Sequence, residues 1–222
     1  MFLHGWGGSI DSYRGIANVL SQKYRCILVD FAGFGETKEP ELPYTLSDYT
    51  KDLDTLLDEL NIKRCFFVAH SFGGRVALDY SSRSNMSAIL DGMVLCDVAG
   101  MKPRRSIRYY TRVVRYKIKK RLGLDVSNMG SSDYRQLSTV MRGTFVNIVN
   151  EHLEDRLHNI HTPTLLIWGD KDMDTPMYQA YRLKKGIEDS ALIVFPNRGH
   201  FAYLEEGGRV VKIIDSFVEG MV

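Results

Sequence analysis

Cysteine is scarce in this chain of 222 residues: three occur, Cys26, Cys65 and Cys96. An odd number without metal-ligand spacing argues against a disulfide framework or a zinc site, and for a reducing compartment, read here as the cytoplasm. Each lies in an apolar run of strand type, where a thiol is expected to act as a small buried hydrophobe. Also missing is any apolar stretch near the roughly 20 residues that cross a bilayer, so no transmembrane segment is expected. No basic-then-apolar leader opens the chain. A strong charge of either sign is lacking too, because 29 Lys and Arg face 27 Asp and Glu for a net of +2. That balance is uneven along the chain. Lys102 to Arg121 holds ten bases and no acid, and the remainder carries 19 bases against 27 acids.

What is present is regular alternation. Ser12 is placed to cap a helix whose Ile16, Val19 and Leu20 share a face, and Ser47 to cap another carrying Leu53, Leu56, Leu57 and Leu60. Strand-like runs follow at Tyr24 to Asp30, Cys65 to Ala69 and Met93 to Asp97, and later at Thr164 to Gly169 and Ala191 to Phe195. Repeated βα units imply an α/β fold with a mostly parallel central sheet and helices on both faces. From about Gly100 to Ile160 no strand-like run occurs, and Thr162-Pro163 restarts the sheet. The segment 101–160 therefore reads as a helical insertion over the carboxyl ends of the strands, and 1–100 with 161–222 as the core domain.

Three strand ends carry chemistry. The run Cys65-Phe66-Phe67-Val68-Ala69-His70 breaks at Ser71 and re-emerges as an amphipathic stretch from Arg75 to Tyr80. A nucleophile on such a sharp strand-to-helix turn needs small residues two before and two after it, and Ala69 and Gly73 occupy those places. His4-Gly5-Trp6-Gly7-Gly8 follows an apolar stub and precedes a helix. Such a loop supplies one backbone donor to an oxyanion while the residue after the nucleophile supplies the other, here the amides of Trp6 and Phe72. Asp170, Asp172 and Asp174 hang from the end of Thr164 to Gly169 and compete for the role of acid, since catalytic groups in open parallel sheets gather at carboxyl ends. His200 lies in the loop after the next strand and completes a Ser, Asp, His order. His70 is a poor base, because a residue adjacent to the nucleophile on a turn points elsewhere.

With these motifs in place, the chain resembles the α/β-hydrolase superfamily, in particular small esterase-like serine hydrolases with a helical lid. The resemblance runs over nearly the whole length. It rests on His4-Gly5-Trp6-Gly7-Gly8, Asp30-Phe31-Ala32-Gly33-Phe34-Gly35, Ala69-His70-Ser71-Phe72-Gly73-Gly74, Trp168-Gly169-Asp170-Lys171-Asp172 and Gly199-His200-Phe201. It implies Asp172 as the acid, with Asp97 at the end of the preceding strand as its competitor. It also implies that a leading β-hairpin is missing before His4, which would leave Tyr24 to Asp30 as a sheet edge. The catalytic set implied is Ser71, Asp172 and His200, with an oxyanion hole at Trp6 and Phe72, no cofactor and no metal.

The implied activity is hydrolysis of a small carboxylic ester. A carbon–carbon bond hydrolase of the same fold is the enzymatic alternative, and a non-catalytic ligand receptor the other. In the insertion, Ile107, Tyr110, Val114, Ile118 and Leu122 recur at helical intervals among the ten bases, giving a basic amphipathic helix with a solvated outer face. One such helix is a poor footprint for nucleic acid. Tyr109, Tyr110, Tyr116, Met129, Met141 and Phe145 would line the lid, and those facing Ser71 favour a small-molecule substrate with an apolar acyl or alcohol moiety.

Overall fold

The computed structural model describes residues 1–104, 111, 114, 121, 134 and 136–221. Six parallel strands form one sheet: β1 (Phe2–Leu3), β2 (Leu28–Val29), β3 (Arg64–His70), β4 (Ile89–Cys96), β5 (Thr164–Gly169) and β6 (Ser190–Phe195). Their order is β2-β1-β3-β4-β5-β6, with every pairing parallel. Among the described residues the α-helices are α1 (Arg14–Leu20), α2 (Leu46–Glu59), α3 (Ser71–Ser81), α4 (Thr139–Asn150), α5 (Tyr178–Gly186), α6 (Ala202–Glu205) and α7 (Gly207–Glu219).

Successive side chains on a strand point to opposite faces, so a sheet covered on both sides needs continuous apolar runs rather than alternation with polar residues. The central strands obey this. Phe67, Ala69, Leu95, Leu166 and Trp168 join a buried cluster with Leu53 and Leu57 of α2, Val76 of α3 and Leu183 of α5. Their neighbours Val68, Val94, Cys96, Leu165 and Ile167 face the other way and pack with Ile16 and Leu20 of α1 and Val210 and Ile214 of α7. The α/β reading of the sequence is therefore the observed architecture.

Details of the elements differ from the sequence expectation. Helix α1 has Tyr13 at its N-cap without a side-chain cap; Ser9 instead caps the preceding 3₁₀ turn over Ile10–Tyr13, its hydroxyl accepting from the Asp11 N–H at 3.3 Å, and Ser12 lies inside that turn. Val19 is exposed, and Ala17 takes its place on the buried face. Thr45 rather than Ser47 caps α2, because Asp48 reaches back to accept from the Thr45 N–H at 2.8 Å and its hydroxyl at 2.7 Å. The Thr-x-x-Asp spacing satisfies helix-end groups that Ser47, two residues further in, is not placed to reach. Cys96 is buried, but Cys26 and Cys65 are half-buried because they sit at the amino ends of their strands, away from the packed centre. In the segment from Tyr24 to Asp30 only Leu28–Val29 are laddered, and that strand forms one edge of the sheet.

The chain runs from β1 outward to β2, then returns past β1 to β3. Strand order reverses between β1 and β3, and a crevice opens at their carboxyl ends where ligands bind in sheets of this kind. The loops after β1, β3, β5 and β6 all converge there. Between β4 and β5 the described residues contain no strand. The basic helix expected over Lys102–Arg121, with Tyr109, Tyr110, Tyr116 and Met129, lies largely outside the described residues. Helix α4 is anchored to the core: the Thr144 hydroxyl accepts from the Tyr44 N–H at 2.9 Å and Asn147 Nδ2 donates to the Tyr44 carbonyl at 3.0 Å. Arg75 Nη1 donates to the Ile148 and Glu151 carbonyls at 2.7 and 2.6 Å, a cation placed where helix C-termini concentrate negative partial charge.

Candidate active site

Ser71 stands at the junction of β3 and α3 with φ of +48°, a left-handed conformation that costs a non-glycine residue free energy and is held only by its surroundings. Those surroundings are tight. The Gly73 N–H donates to the His4 carbonyl at 3.0 Å, and a Cβ on Gly73 would lie 2.3 Å from the Leu3 carbonyl oxygen. A larger residue there would push the β1 loop off the turn, which is why the position two after Ser71 must be glycine.

The β1 loop bends through a turn closed by the Gly8 N–H on the Gly5 carbonyl at 3.0 Å, with Gly7 at φ of +73°. His4 braces it from below. One ring nitrogen, Nδ1, donates to the Gly5 carbonyl at 2.7 Å while Nε2 accepts from the Phe31 N–H at 3.2 Å, so the tautomer is fixed. Burial lowers the His4 pKa and keeps the ring neutral. The Trp6 ring meets Phe72 at 5.5 Å, Phe34 at 4.9 Å and Phe145 of α4 at 5.2 Å. The Phe72 N–H lies in the first turn of α3, where helix geometry leaves amides without an intrahelical acceptor. Trp6 lines a pocket of about 150 Å³ with Ser71, His70, His200, Phe201 and Tyr203.

His200 Nε2 lies 3.0 Å from Ser71 Oγ and its Nδ1 2.8 Å from Asp172 Oδ2. With the proton on Nδ1 facing the carboxylate, Nε2 is free to accept from the serine hydroxyl. Asp172 is almost fully buried and richly partnered: Oδ1 accepts from the N–H groups of Asp174 and Thr175 at 2.8 and 2.9 Å, and Oδ2 from the Thr175 hydroxyl as well as His200. Burial alone would raise its pKa, but the hydrogen bonds from His200 and Thr175 outweigh it and hold the carboxyl below its ordinary value. Asp170 is turned away and accepts from the Asn197 N–H at 2.7 Å. Asp172, Asp174 and His200 also offer ligand atoms within 4.8 Å of one another. The oxygens of Asp172 are already engaged by four donors, so the group is better suited to orienting an imidazole than to holding a cation.

Asp97, the competing acid, is fully buried at the end of β4 with φ of +45°. Its Oδ1 accepts from the Gly169 N–H at 2.9 Å, and Oδ2 has no partner among the described residues. Burial, opposed by that one amide and aided by the charge of Asp172, pushes its pKa up to about 8. It is Asp172 that meets His200.

His70 supports the imidazole rather than competing with it. Its Nε2–H donates to the His200 carbonyl at 2.8 Å, and the two rings pack at 4.7 Å. Burial, followed by the proximity of His200, brings the His70 pKa down to about 3, so it stays a neutral strut. Sequence reading missed Thr175 altogether. Its only signal is a Thr three residues after the Asp, a spacing from which a hydroxyl and an amide can both fold back on the carboxylate.

Comparison with known proteins bears on the whole chain. The AB hydrolase superfamily protein YisY of Bacillus subtilis is 26% identical, with 98% of this chain and 90% of that protein covered. A 2-hydroxy-6-oxo-2,4-heptadienoate hydrolase of Pseudomonas putida is 25% identical over 98% of this chain and 88% of its own. Among solved structures, an esterase from Thermogutta terrifontis superposes with a TM-score of 0.76 at 21% identity, covering 99% of this chain and 89% of that one. A meta-cleavage product hydrolase from Pseudomonas fluorescens IP01 gives 0.77 at 21%, covering 100% and 90%. The sequence model of the Alpha/beta hydrolase family matches residues 1–213, so a single family profile spans the β1 loop, the Ser71 turn and the loops of Asp172 and His200, and the chain belongs to that family.

Proposed function

We propose that the protein is a serine hydrolase that cleaves a small carboxylic ester through an acyl-enzyme intermediate. The observation that carries this reading is the continuous hydrogen-bonded path from Ser71 Oγ through both nitrogens of His200 to Asp172. Ser71 Oγ attacks the carbonyl carbon while His200 Nε2 takes its proton. His200 then delivers that proton to the departing alkoxide, and the acyl group remains on Ser71. A water molecule deprotonated by the same nitrogen releases the acid and restores the serine. Asp172 holds the Nδ1–H tautomer and stabilises the imidazolium formed in each half-reaction. The amides of Trp6 and Phe72 serve the tetrahedral oxyanion, worth about 3–4 kcal/mol for such a donor. Segment 101–160 acts as the lid, with Phe145 of α4 against Trp6 as its contact with the oxyanion loop.

A second reading is favoured by the relatives, several of which are named as hydrolases of 2-hydroxy-6-oxo-dienoates. On it, the same Ser71 and His200 would cleave a carbon–carbon bond next to a ketone. Turnover of 4-nitrophenyl esters of graded acyl length, set against 2-hydroxy-6-oxohepta-2,4-dienoate, decides between the two. Ester turnover that vanishes in Ser71→Ala supports the first; dienoate turnover exceeding it by orders of magnitude replaces it with the second. No turnover of either, with ligand-dependent melting shifts intact, would leave a receptor.

A further inference from the structure

Behind the acid lies a second cavity, of about 440 Å³, that shares no lining residue with the pocket at Ser71. Its volume falls in the range of small-molecule sites. Two of its walls are polar and buried. Gln179 is 4% exposed and lines the cavity. Arg75 is 7% exposed and commits only Nη1 to the Ile148 and Glu151 carbonyls, which leaves its Nε and Nη2 donors. Both residues line the cavity, and donors not spent within the fold suit a ligand with acceptor oxygens. Arg104 stands at the rim, stacked on the Tyr178 ring at 4.6 Å. Of the nearby acids, Glu151 pairs with Arg156 and Glu154 with Arg182, while Asp174 in the wall and Asp172, held by wall residue Thr175, are the other carboxylates close by. Burial lowers the Arg75 pKa to about 10, so the guanidinium remains cationic at neutral pH. Met101 and Val149 supply an apolar flank.

The cavity also touches the catalytic machinery. Its wall residue Ala99 donates its N–H to the Ser71 carbonyl at 3.2 Å. Thr175, another wall residue, donates to Asp172 and lies 3.4 Å from His200 Nδ1. Arg75 follows Ser71 by four residues on α3, a rise of about 6 Å.

We propose that this cavity is a binding site for the carboxylate of a small molecule with an apolar chain, held by Arg75 and Gln179 beside the Asp172 loop. Two sources share that chemistry: the far end of a hydrolysed substrate, which rests on the hydrolase reading above, and a separate carboxylate. Two measurements distinguish them. The first is calorimetric binding of sodium hexanoate to the Ser71→Ala protein, which needs no turnover. The second is kcat/KM for 4-nitrophenyl hemiglutarate and hemiadipate against the pentanoate and hexanoate esters.

Hexanoate is expected to bind, and Gln179→Leu to weaken it about tenfold, the effect of one hydrogen bond to a charged group. Arg75→Lys keeps a donor for the Ile148 and Glu151 carbonyls and should also weaken binding, with melting curves checking the fold of both variants. If the hemiesters are then preferred over the neutral esters, and Gln179→Leu collapses that ratio, the carboxylate belongs to the substrate. If hexanoate binds with the same sensitivity but the esters show no charge preference, the site serves a separate carboxylate and the proposal stands. Absence of hexanoate binding together with no hemiester preference overturns it, as does binding indifferent to both substitutions. Failure of all ester turnover would count against the hydrolase reading alone, because the calorimetric arm still decides the cavity.

Discussion

Neighbouring strands β4 and β5 lead into two buried aspartates that have opposite fates. Asp97 follows β4 directly and Asp172 lies three residues after β5; both are almost wholly excluded from solvent, at 0% and 3% exposure. Asp172 is met by two amides, a hydroxyl and an imidazole, and its pKa falls. Asp97 is met by one amide and its pKa rises to about 8. Burial penalises the charge in both places; the donors at Asp172 outweigh it, while at Asp97 one amide does not and the charge of Asp172 adds to it. A strand-end carboxylate is thus not an acid–base partner by position. It becomes one when the loop beyond it folds back to supply hydrogen bonds, as the turn from Asp172 to Thr175 does and the chain after Asp97 does not.

The largest effect that would test this contrast comes from the groups the Asp172 side serves. Ser71→Ala and His200→Ala should each lower kcat/KM for the preferred ester by about 10⁴-fold or more, since members of such a set act as a unit. Steady-state kinetics on freshly purified, refolded protein checks this against contaminating esterase. Next, Asp172→Asn should cost about 10³- to 10⁴-fold by disfavouring the Nδ1–H tautomer, whereas Asp97→Asn should cost less than tenfold. Equal losses would break the comparison, and a reversed order would return the acid role to Asp97.

A smaller effect sharpens it. Thr175→Val keeps the shape and removes the hydroxyl donor to Asp172, so kcat/KM should fall about tenfold and the acid limb of its pH profile move upward. The sign follows from the depressed pKa: hydrogen bonding to ionised Asp172 stabilises the fold above its unfolded pKa of about 3.9 and is lost as pH falls through the folded value. Weakening it moves that loss to higher pH.

The smallest expected effect is on stability alone. Asp97 keeps its proton in the folded state up to about pH 8, while the unfolded chain releases it near 4. Folding stability therefore declines as pH rises from about 4 to about 8 through this group, and levels above it. Asp97→Asn cannot ionise, so its melting temperature relative to the parent should rise across that window. A flat difference between pH 5 and 9 would mean that Asp97 is ionised in the fold.

Much of the site was legible before any fold was known. The small residues flanking Ser71, the glycine loop after His4, and the order of Ser71, Asp172 and His200 each answer to a local constraint: a strained turn, a close approach of two backbones, a strand end. Choosing Asp172 over Asp170 and Asp174 rested on the resemblance to a family, because three carboxylates in one loop have the same chemistry until the loop's bends are known. Thr175 left no usable signal, since threonine beside an acid is ordinary in any loop. The exchange of Ser47 for Thr45 at the α2 cap has a similar cause, two hydroxyl residues in one tripeptide separated only by whether Asp48 can reach back.

By itself the sequence determined the α/β alternation, the two-faced apolar strands and the strand-end settings of Ser71, Asp172 and His200, because these depend on side-chain period and on neighbours within a few residues. Only the tertiary structure decided which carboxylate meets His200, how His70 seats that ring, and that Arg75 and Gln179 line one cavity. Each of those depends on groups brought together from distant parts of the chain, and burial magnifies the consequence of every hydrogen bond made or missing there.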